Sequence, residues 1–171
     1  SVTVTNVNET PTITSNGGGA TASFGVAEGQ TAVTTVTATD VDAGQTMTYS
    51  ISGGADAAKF AIDGSTGVLT FVAAPDFEFS TDADANNVYE VTVQASDGGL
   101  TDTQAISVTV TAVNDNNPVI TSNGGGSSAL ISIDENTTAV TTVTATDTEG
   151  DTLTYSISGG ADKLKFKIDS K

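Results

Sequence analysis

The sequence predicts an all-β fold, a seven-stranded antiparallel β-sandwich of the Greek-key type that is repeated in tandem along the chain. Three observations support this prediction. Thr, Val, Ser, Ala and Gly dominate the composition, which favours short strands and tight turns over helices. Apolar and polar residues alternate along several segments, and no stretch of ten residues has convincing helical periodicity. One block of sequence also recurs roughly a hundred residues further along the chain.

The alternation marks three long strands. In 46–52, 88–97 and 103–111 apolar residues alternate with polar ones, and the apolar face of each is predicted to face the core. Further strands are predicted at Phe24–Glu28, 31–39, Phe60–Asp63 and Gly67–Val72. Within 31–39, Val33 and Val36 are out of phase by one residue, which predicts a bulge. A single helical turn is predicted over Ala55–Lys59.

The internal repeat sets the predicted domain organisation. The matching segments are Ile13–Gly19 with Ile120–Gly126, 32–40 with 139–147, 48–56 with 154–162 after a one-residue deletion, and Ser1–Thr5 with Ser107–Thr111. We therefore predict a last strand and linker of a preceding repeat at 1–10, a complete repeat at 11–117 and the first half of another at 118–171. A period near 100 residues is typical of arrays of separate domains.

The charge balance excludes some partners and leaves others open. The chain has 171 residues, of which 21 are acidic and five basic, and a formal net charge of −16. Such a chain has little with which to neutralise nucleic-acid phosphates or anionic membrane surfaces. The excess carboxylates indicate either bound divalent cations or a solvated acidic surface. Cysteine is absent, so no disulfide stiffens the fold, and a bound metal is one other source of rigidity.

The positions of the acids favour bound divalent cations over a solvated acidic surface. Strands of a sandwich run alternately between its two ends, so residues that follow successive strands fall into two clusters. One end is predicted to carry Glu28, Asp76 and Glu78 and to lead into 114–118. The opposite end is predicted to carry Asp40, Asp42 and Asp97.

Several ordered motifs then resemble the cadherin repeat, in the form found in large bacterial surface or secreted adhesins. They are 37–42 (TATDVD), 75–78 (PDFE), 89–99 (YEVTVQASDGG), 113–118 (VNDNNP) and 134–136 (DEN). The resemblance covers essentially the whole chain and implies a cadherin/immunoglobulin-like sandwich. It also implies an extracellular or cell-surface location and neighbouring repeats of the same parent chain as partners.

The resemblance further implies Ca²⁺ at the junctions between repeats. The ligands implied at the main junction are Glu28, Asp76, Glu78, Asn114, Asp115, Asn116, Asp147 and Glu149. Those implied at the preceding, weaker junction are Asn8, Glu9, Asp40, Asp42 and Asp97. Ca²⁺ suits such a set because it takes six to eight oxygen ligands in loose geometry. The family usually has an acid where Ala112 stands, and Glu9 and Thr10 depart from its linker.

Three function classes follow from these patterns. The first is a calcium-stiffened extender and adhesion element; the second is a module that binds a polysaccharide or a cell-surface protein. Homophilic recognition is a third, although the chain has no Trp that could be exchanged between strands. An enzyme is not expected, because His, Cys and Arg are absent and no aromatic cleft accompanies Asp76 and Glu78.

Two local questions concern the loop 82–87 and the half-repeat. The loop resembles half of an EF-hand but has Asn87 where glycine belongs, so a solvated insertion is favoured over a private calcium site. The tyrosines are in phase with inward residues, which favours core packing over sugar stacking. Residues 119–171 are predicted to supply only the first four strands of a sandwich. Their inner face would then require strands from a longer parent chain or from a neighbouring molecule.

Overall fold

The computed structural model describes residues 1–42 and 44–170. They divide into two compact units, unit 1 (Ser1–Val113) and unit 2 (Asn114–Lys171). The helices among the described residues are short 3₁₀ turns, and none of them is long and apolar enough to cross a membrane. The predicted all-β class is confirmed.

The described part of unit 1 contains nine strand segments. They are β1 (Thr12–Ile13), β2 (Thr21–Ala27), β3 (Ala32–Thr35), β4 (Ala38–Thr39), β5 (Thr48–Gly53), β6 (Phe60–Ile62), β7 (Val68–Phe71), β8 (Val88–Ser96) and β9 (Thr101–Thr111). One sheet has the order β2-β9-β8-β5 and the other β3-β7-β6, and β1 pairs with β4. A 3₁₀ turn at Ala57–Lys59 confirms the helical turn predicted after β5.

One strand pair departs from the all-antiparallel prediction. β2 and β9 are parallel, with Phe24 opposite Val108 and Val26 opposite Val110. The reason is topological: seven strands that alternate in direction leave the first and the last pointing the same way, so their pairing must be parallel. The other ladders of unit 1 are antiparallel, as predicted.

The predicted strand 31–39 is interrupted where its apolar residues change phase. It forms β3 and β4, and the β3–β7 register shifts between Ala32 and Thr34, which confirms the bulge. At the interruption, the buried Val36 donates its backbone N–H to the carbonyl oxygen of Gly67 at 2.8 Å. Gly67 has φ +71°, and a Cβ built on it would lie 2.0 Å from the Val36 carbonyl oxygen. Glycine is therefore required at this crossing of two chain segments.

The core lies between the two sheets. β8 contributes Tyr89, Val91, Val93 and Ala95, and β9 contributes Ile106, Val108 and Val110, all of them buried. From the second sheet, Phe71 packs edge-on against Tyr89, with ring centroids 5.2 Å apart. The Tyr89 ring is buried, and its hydroxyl accepts the Thr81 N–H at 3.2 Å. The core role predicted for this tyrosine is confirmed.

Unit 2 forms far less sheet than the four strands predicted for 119–171, of which Lys171 lies outside the described residues. It has β10 (Val119–Ile120), β11 (Ala145–Thr146) and two 3₁₀ turns, Ser122–Gly124 and Lys163–Lys165. β10 pairs with β11 as β1 pairs with β4. The physical reason is that long strands need ladder partners, and in unit 1 those partners are β7, β8 and β9.

Candidate metal centre

Glu28 organises the acids at one end of unit 1. It follows β2 directly and is only 6% exposed. One carboxylate oxygen accepts the backbone N–H of Phe77 at 2.8 Å, and the other accepts that of Val113 at 2.6 Å. The neighbouring Gly29 N–H donates to the Pro75 carbonyl oxygen at 2.9 Å. Glu28 therefore connects the end of β2 both to the loop that carries the next two acids and to the residue where unit 1 ends.

Asp76 and Glu78 flank Phe77 and complete this cluster. Carboxylate oxygens of Glu28, Asp76 and Glu78 all lie within 4.8 Å of one another. Asp76 is held in place because it accepts the Phe79 N–H at 2.9 Å. Three ionised carboxylates this close repel one another, and a divalent cation would reverse the sign of that interaction. The three acids predicted to share this end are thus brought together.

The opposite end of unit 1 carries a second group of acids. The Asn8 side-chain amide donates to Asp97 at 2.9 Å, and the Glu9 backbone N–H donates to Asp42 at 2.9 Å. Asp42 in turn donates its backbone N–H to Asp40 at 2.7 Å. Because Asn8 and Glu9 are adjacent in the chain, all five residues predicted for the preceding junction belong to one connected group.

The ionisation of this group is uneven. Backbone N–H groups hold the pKa of two carboxyls below their ordinary value, that of Asp42 through Glu9 and that of Asp97 through Leu100 and Gly99. Partial desolvation, followed by the negative charge of Asp42, raises the pKa of Glu9. The Oδ2 atom of Asp40 is shielded from solvent and accepts no hydrogen bond from the described residues. It is an acceptor that lacks a donor.

Unit 2 begins with a similar group. The Asn116 side-chain amide donates to Asp115 at 2.9 Å and to Glu149 at 2.6 Å, and its backbone N–H also reaches Glu149. Carboxylate oxygens of Asp115 and Glu149 lie within 4.8 Å of each other. The Asn116 amide holds the pKa of the Glu149 carboxyl below its ordinary value. The second Glu149 oxygen, Oε2, is shielded from solvent and has no hydrogen-bond partner among the described residues.

This group has further members, some of which the sequence predicted and some of which it did not. Asp147 accepts the backbone N–H of Asp151 at 3.3 Å, and Asn114 donates its side-chain amide to the Asp151 carboxylate. Asp151 was not predicted, and neither were Asn6 and Gln45, whose amides contact Asp42 and Asn8 in unit 1. Asp151 and Gln45 occupy equivalent positions in the two repeats, each shortly after the acidic turn. This shared position is the sequence signal from which both residues could have been predicted.

The donor set fits calcium. Every side-chain ligand available in the three groups is a carboxylate or carboxamide oxygen, which suits a hard cation and not a metal that prefers thiolate or imidazole. Four side-chain atoms of the described residues are shielded from solvent without a partner, and two of them, Asp40 Oδ2 and Glu149 Oε2, are carboxylate oxygens of these groups that a cation would satisfy. The fit therefore rests on the chemistry and on the unsatisfied acceptors.

The carboxylates of the acidic loop 82–87 accept hydrogen bonds from within the protein. Asp82 is buried and accepts the Asn86 N–H at 2.8 Å, and Ser80 donates its hydroxyl to the same carboxylate. The buried Asp56 accepts the backbone N–H groups of Ala83 at 2.7 Å and Glu90 at 2.9 Å. These contacts close and anchor the loop, so at Asp82 the predicted solvated insertion is wrong: this carboxylate is buried because backbone and hydroxyl donors satisfy it.

Comparison with known proteins gives the family. The model of the cadherin domain matches residues 22–111. Human protocadherin Fat 1 is 36% identical over 137 residues, and human protocadherin Fat 4 is 35% identical over 145 residues. The Fat-like cadherin-related tumor suppressor homolog of Drosophila melanogaster is 32% identical over 139 residues. These matches cover 76%, 80% and 77% of this chain but 3% of each relative.

Solved structures agree on the fold. A crystal structure of human protocadherin-24 EC1-2 (Form II) has a TM-score of 0.63 at 24% identity, over 93% of this chain and 73% of that one. Mouse cadherin-23 EC22-24 has a TM-score of 0.61 at 24% identity, over 83% of this chain and 45% of that one. The β-sandwich is thus that of cadherin extracellular domains. The chain belongs to the cadherin domain family.

Proposed function

We propose that this chain is a calcium-binding repeat that extends and stiffens a large extracellular or cell-surface adhesion protein. The observation that carries the proposal is the convergence of oxygen ligands at both ends of unit 1 and at the start of unit 2. Two of those oxygens, on Asp40 and Glu149, are shielded from solvent without a donor. A bound cation would satisfy both of these atoms.

The ligands that the resemblance implies for the main calcium site lie in two groups, one in each unit. Unit 1 would contribute Glu28, Asp76 and Glu78, and unit 2 would contribute Asn114, Asp115, Asn116, Asp147 and Glu149. Bound calcium would supply positive charge among these carboxylates and so hold the segment that joins the repeats. Glu28 suits this role because its carboxylate already bonds the backbone of Val113.

The preceding junction would use Asn8, Glu9, Asp40, Asp42 and Asp97. Its calcium affinity should be lower because Glu9 and Thr10 depart from the linker pattern of the family. We therefore expect at least two classes of calcium site, which fill at different concentrations.

Isothermal titration of the full chain tests the proposal. Calcium should bind with dissociation constants near ~10⁻⁴–10⁻³ M, the range of extracellular calcium modules. Magnesium is the control, since it prefers rigid octahedral sites and keeps its water ligands, and it should compete poorly. Binding that is equal for the two ions, or absent, would contradict the proposed site.

The outward faces of the strands distinguish a spacer from a module that binds polysaccharide. A role as spacer is supported by the outward strand residues, which are mostly Thr and Ser. A polysaccharide-binding surface gains no such support, because Tyr89 is buried and Tyr49 uses its hydroxyl to accept the Ala38 N–H at 3.1 Å. A bacterial source and an adhesin parent remain predictions from the resemblance.

A further inference from the structure

Asn87 is held by the central strands of the larger sheet of unit 1. It ends the loop 82–87, directly before β8, and its φ is +62°. Asn adopts this left-handed conformation more readily than most residues. Its carbonyl oxygen accepts the backbone N–H of the buried Val110 in β9 at 2.8 Å. The side chain of Asn87 therefore starts from a fixed point next to two paired strands.

The Asn87 side chain reaches the loop that carries two of the candidate ligands. Its Nδ2 atom donates a hydrogen bond to the carbonyl oxygen of Phe77 at 2.9 Å. Its Oδ1 atom is shielded from solvent and accepts no hydrogen bond from the described residues. The bond to Phe77 is thus the contact that orients this amide.

Both polar groups of the Phe77 backbone are held by side chains. Its N–H donates to the buried Glu28 carboxylate at 2.8 Å, while its carbonyl oxygen accepts the Asn87 amide. Phe77 stands between Asp76 and Glu78, and its carbonyl belongs to the planar peptide group that contains the Glu78 nitrogen. A bond that fixes this carbonyl therefore also fixes the direction in which Glu78 leaves the backbone.

Glu78 needs such a restraint because of its neighbours. Carboxylate oxygens of Glu28, Asp76 and Glu78 all lie within 4.8 Å of one another, and like charges at this distance repel. The carboxylates of Glu28 and Asp76 are held in place by backbone N–H donors. Asn87 supplies a restraint on the backbone of the third acid, and it does so from outside the acidic cluster.

We propose that Asn87 is a positioning residue for the candidate metal centre. Through the Phe77 carbonyl it holds Glu78 in the direction that lets the three carboxylates share one cation. The inference rests on the proposed calcium-binding function, and it assigns to Asn87 a role other than that of a ligand. Removal of a residue that orients a metal ligand typically lowers metal affinity about 10–100-fold.

Calcium titration of the full chain, followed by NMR of the backbone amides, tests this role. The Glu78 amide reports the centre that contains Glu78, and the Asp97 amide reports the acids at the opposite end of unit 1. Asn87→Gly removes the side chain and suits a φ of +62°. It should lower the calcium affinity measured at Glu78 about 10–100-fold and leave the affinity measured at Asp97 unchanged. A general loosening of unit 1 would lower both affinities.

Ala85→Gly is the matched control for Asn87→Gly. Ala85 lies in the same loop with φ +57°, so the substitution changes the backbone freedom of the loop in a similar way. It leaves the bond between Asn87 and Phe77 in place. The calcium affinities measured at Glu78 and at Asp97 should both equal those of the wild type, and a loss at Glu78 as large as that of Asn87→Gly would overturn the proposal.

Asn87→Asp distinguishes positioning from coordination. It keeps an oxygen at Oδ1 and adds a negative charge, but it replaces the Nδ2 donor with an oxygen that the Phe77 carbonyl repels. The calcium affinity measured at Glu78 should therefore stay below that of the wild type. An affinity at or above the wild-type value would identify Asn87 as a ligand and overturn the proposal, as would an unchanged affinity for Asn87→Gly. A Glu78 amide that does not respond to calcium even in the wild type would instead overturn the proposed function, and this role with it.

Discussion

The Glu28 carboxylate accepts the backbone N–H of Val113 at 2.6 Å, and so ties the end of the second strand to the residue at which unit 1 ends. The same side chain accepts the Phe77 N–H with its other oxygen. A single buried acid therefore has a structural role and lies in the candidate metal centre. Substitutions can separate these two roles.

Glu28→Ala should lower the free energy of unfolding in EDTA by about 1–3 kcal/mol, because two N–H donors lose a buried acceptor. Glu28→Gln keeps one acceptor oxygen and removes one negative charge from the cluster, so it should cost less. In calcium both variants should lose the stabilisation that the ion provides. Urea unfolding with and without calcium measures these values. A Gln variant as unstable as the Ala variant in EDTA would contradict the structural role.

Asp115→Ala should weaken calcium binding by at least ~10-fold, because it removes a carboxylate that lies within 4.8 Å of Glu149. Asp134→Ala is the matched control, since Asp134 is also an exposed acid of unit 2 and its removal changes the net charge equally. Calorimetric titration of the two variants decides between a specific site and diffuse attraction. Equal losses of affinity would support diffuse attraction.

The strand pattern could be predicted from the sequence because one face of each long strand is buried. Val91 and Val93 on one strand and Val108 and Val110 on the next alternate with polar residues, and all four are buried. The parallel pairing of the first and last strands could not be read from alternation, since a period of two is the same in both directions. It depends on the order of strands in the sheet.

The candidate site, like the fold, could be predicted from the sequence only in part. Ordered motifs identified Glu28, Asp76 and Glu78, and the structure brings them together at one end of unit 1. The dual hydrogen bonding of Glu28 was not predictable, because backbone donors carry no sequence signature. The contact of Asn6 with Asp42 was missed for a related reason: it joins residues 36 positions apart through a side-chain amide.

Gly67→Ala should destabilise unit 1 by at least ~2 kcal/mol, because a Cβ would meet the Val36 carbonyl oxygen at a residue whose φ is +71°. Gly25→Ala is the control: nothing lies within 4 Å of the position that a Cβ on Gly25 would occupy. Thermal unfolding of the two variants compares a required glycine with a replaceable one. Similar melting temperatures would show that the chain relaxes around the substitution at Gly67.

Asp63 should titrate below its ordinary pKa. Its carboxylate accepts the N–H groups of Thr66 at 2.8 Å and Ser65 at 2.9 Å, and these bonds lower the pKa of the folded state. A lowered pKa means that Asp63 stabilises the fold above its unfolded pKa of about 3.9. That contribution is lost as the pH falls through the folded pKa. Carbon-detected NMR titration of the Asp63 carboxyl measures the midpoint, and a value at or above the unfolded one would refute the turn contacts.

The most direct test of the account is the thermal unfolding of the full chain in EDTA, in millimolar magnesium and in millimolar calcium. Calcium that binds only the folded state should stabilise it by about 2.7 kcal/mol when its concentration is 100 times the dissociation constant. We expect a melting temperature that rises with calcium concentration and changes little with magnesium. Identical melting temperatures in EDTA and in calcium would contradict the claim that these acids form a calcium site.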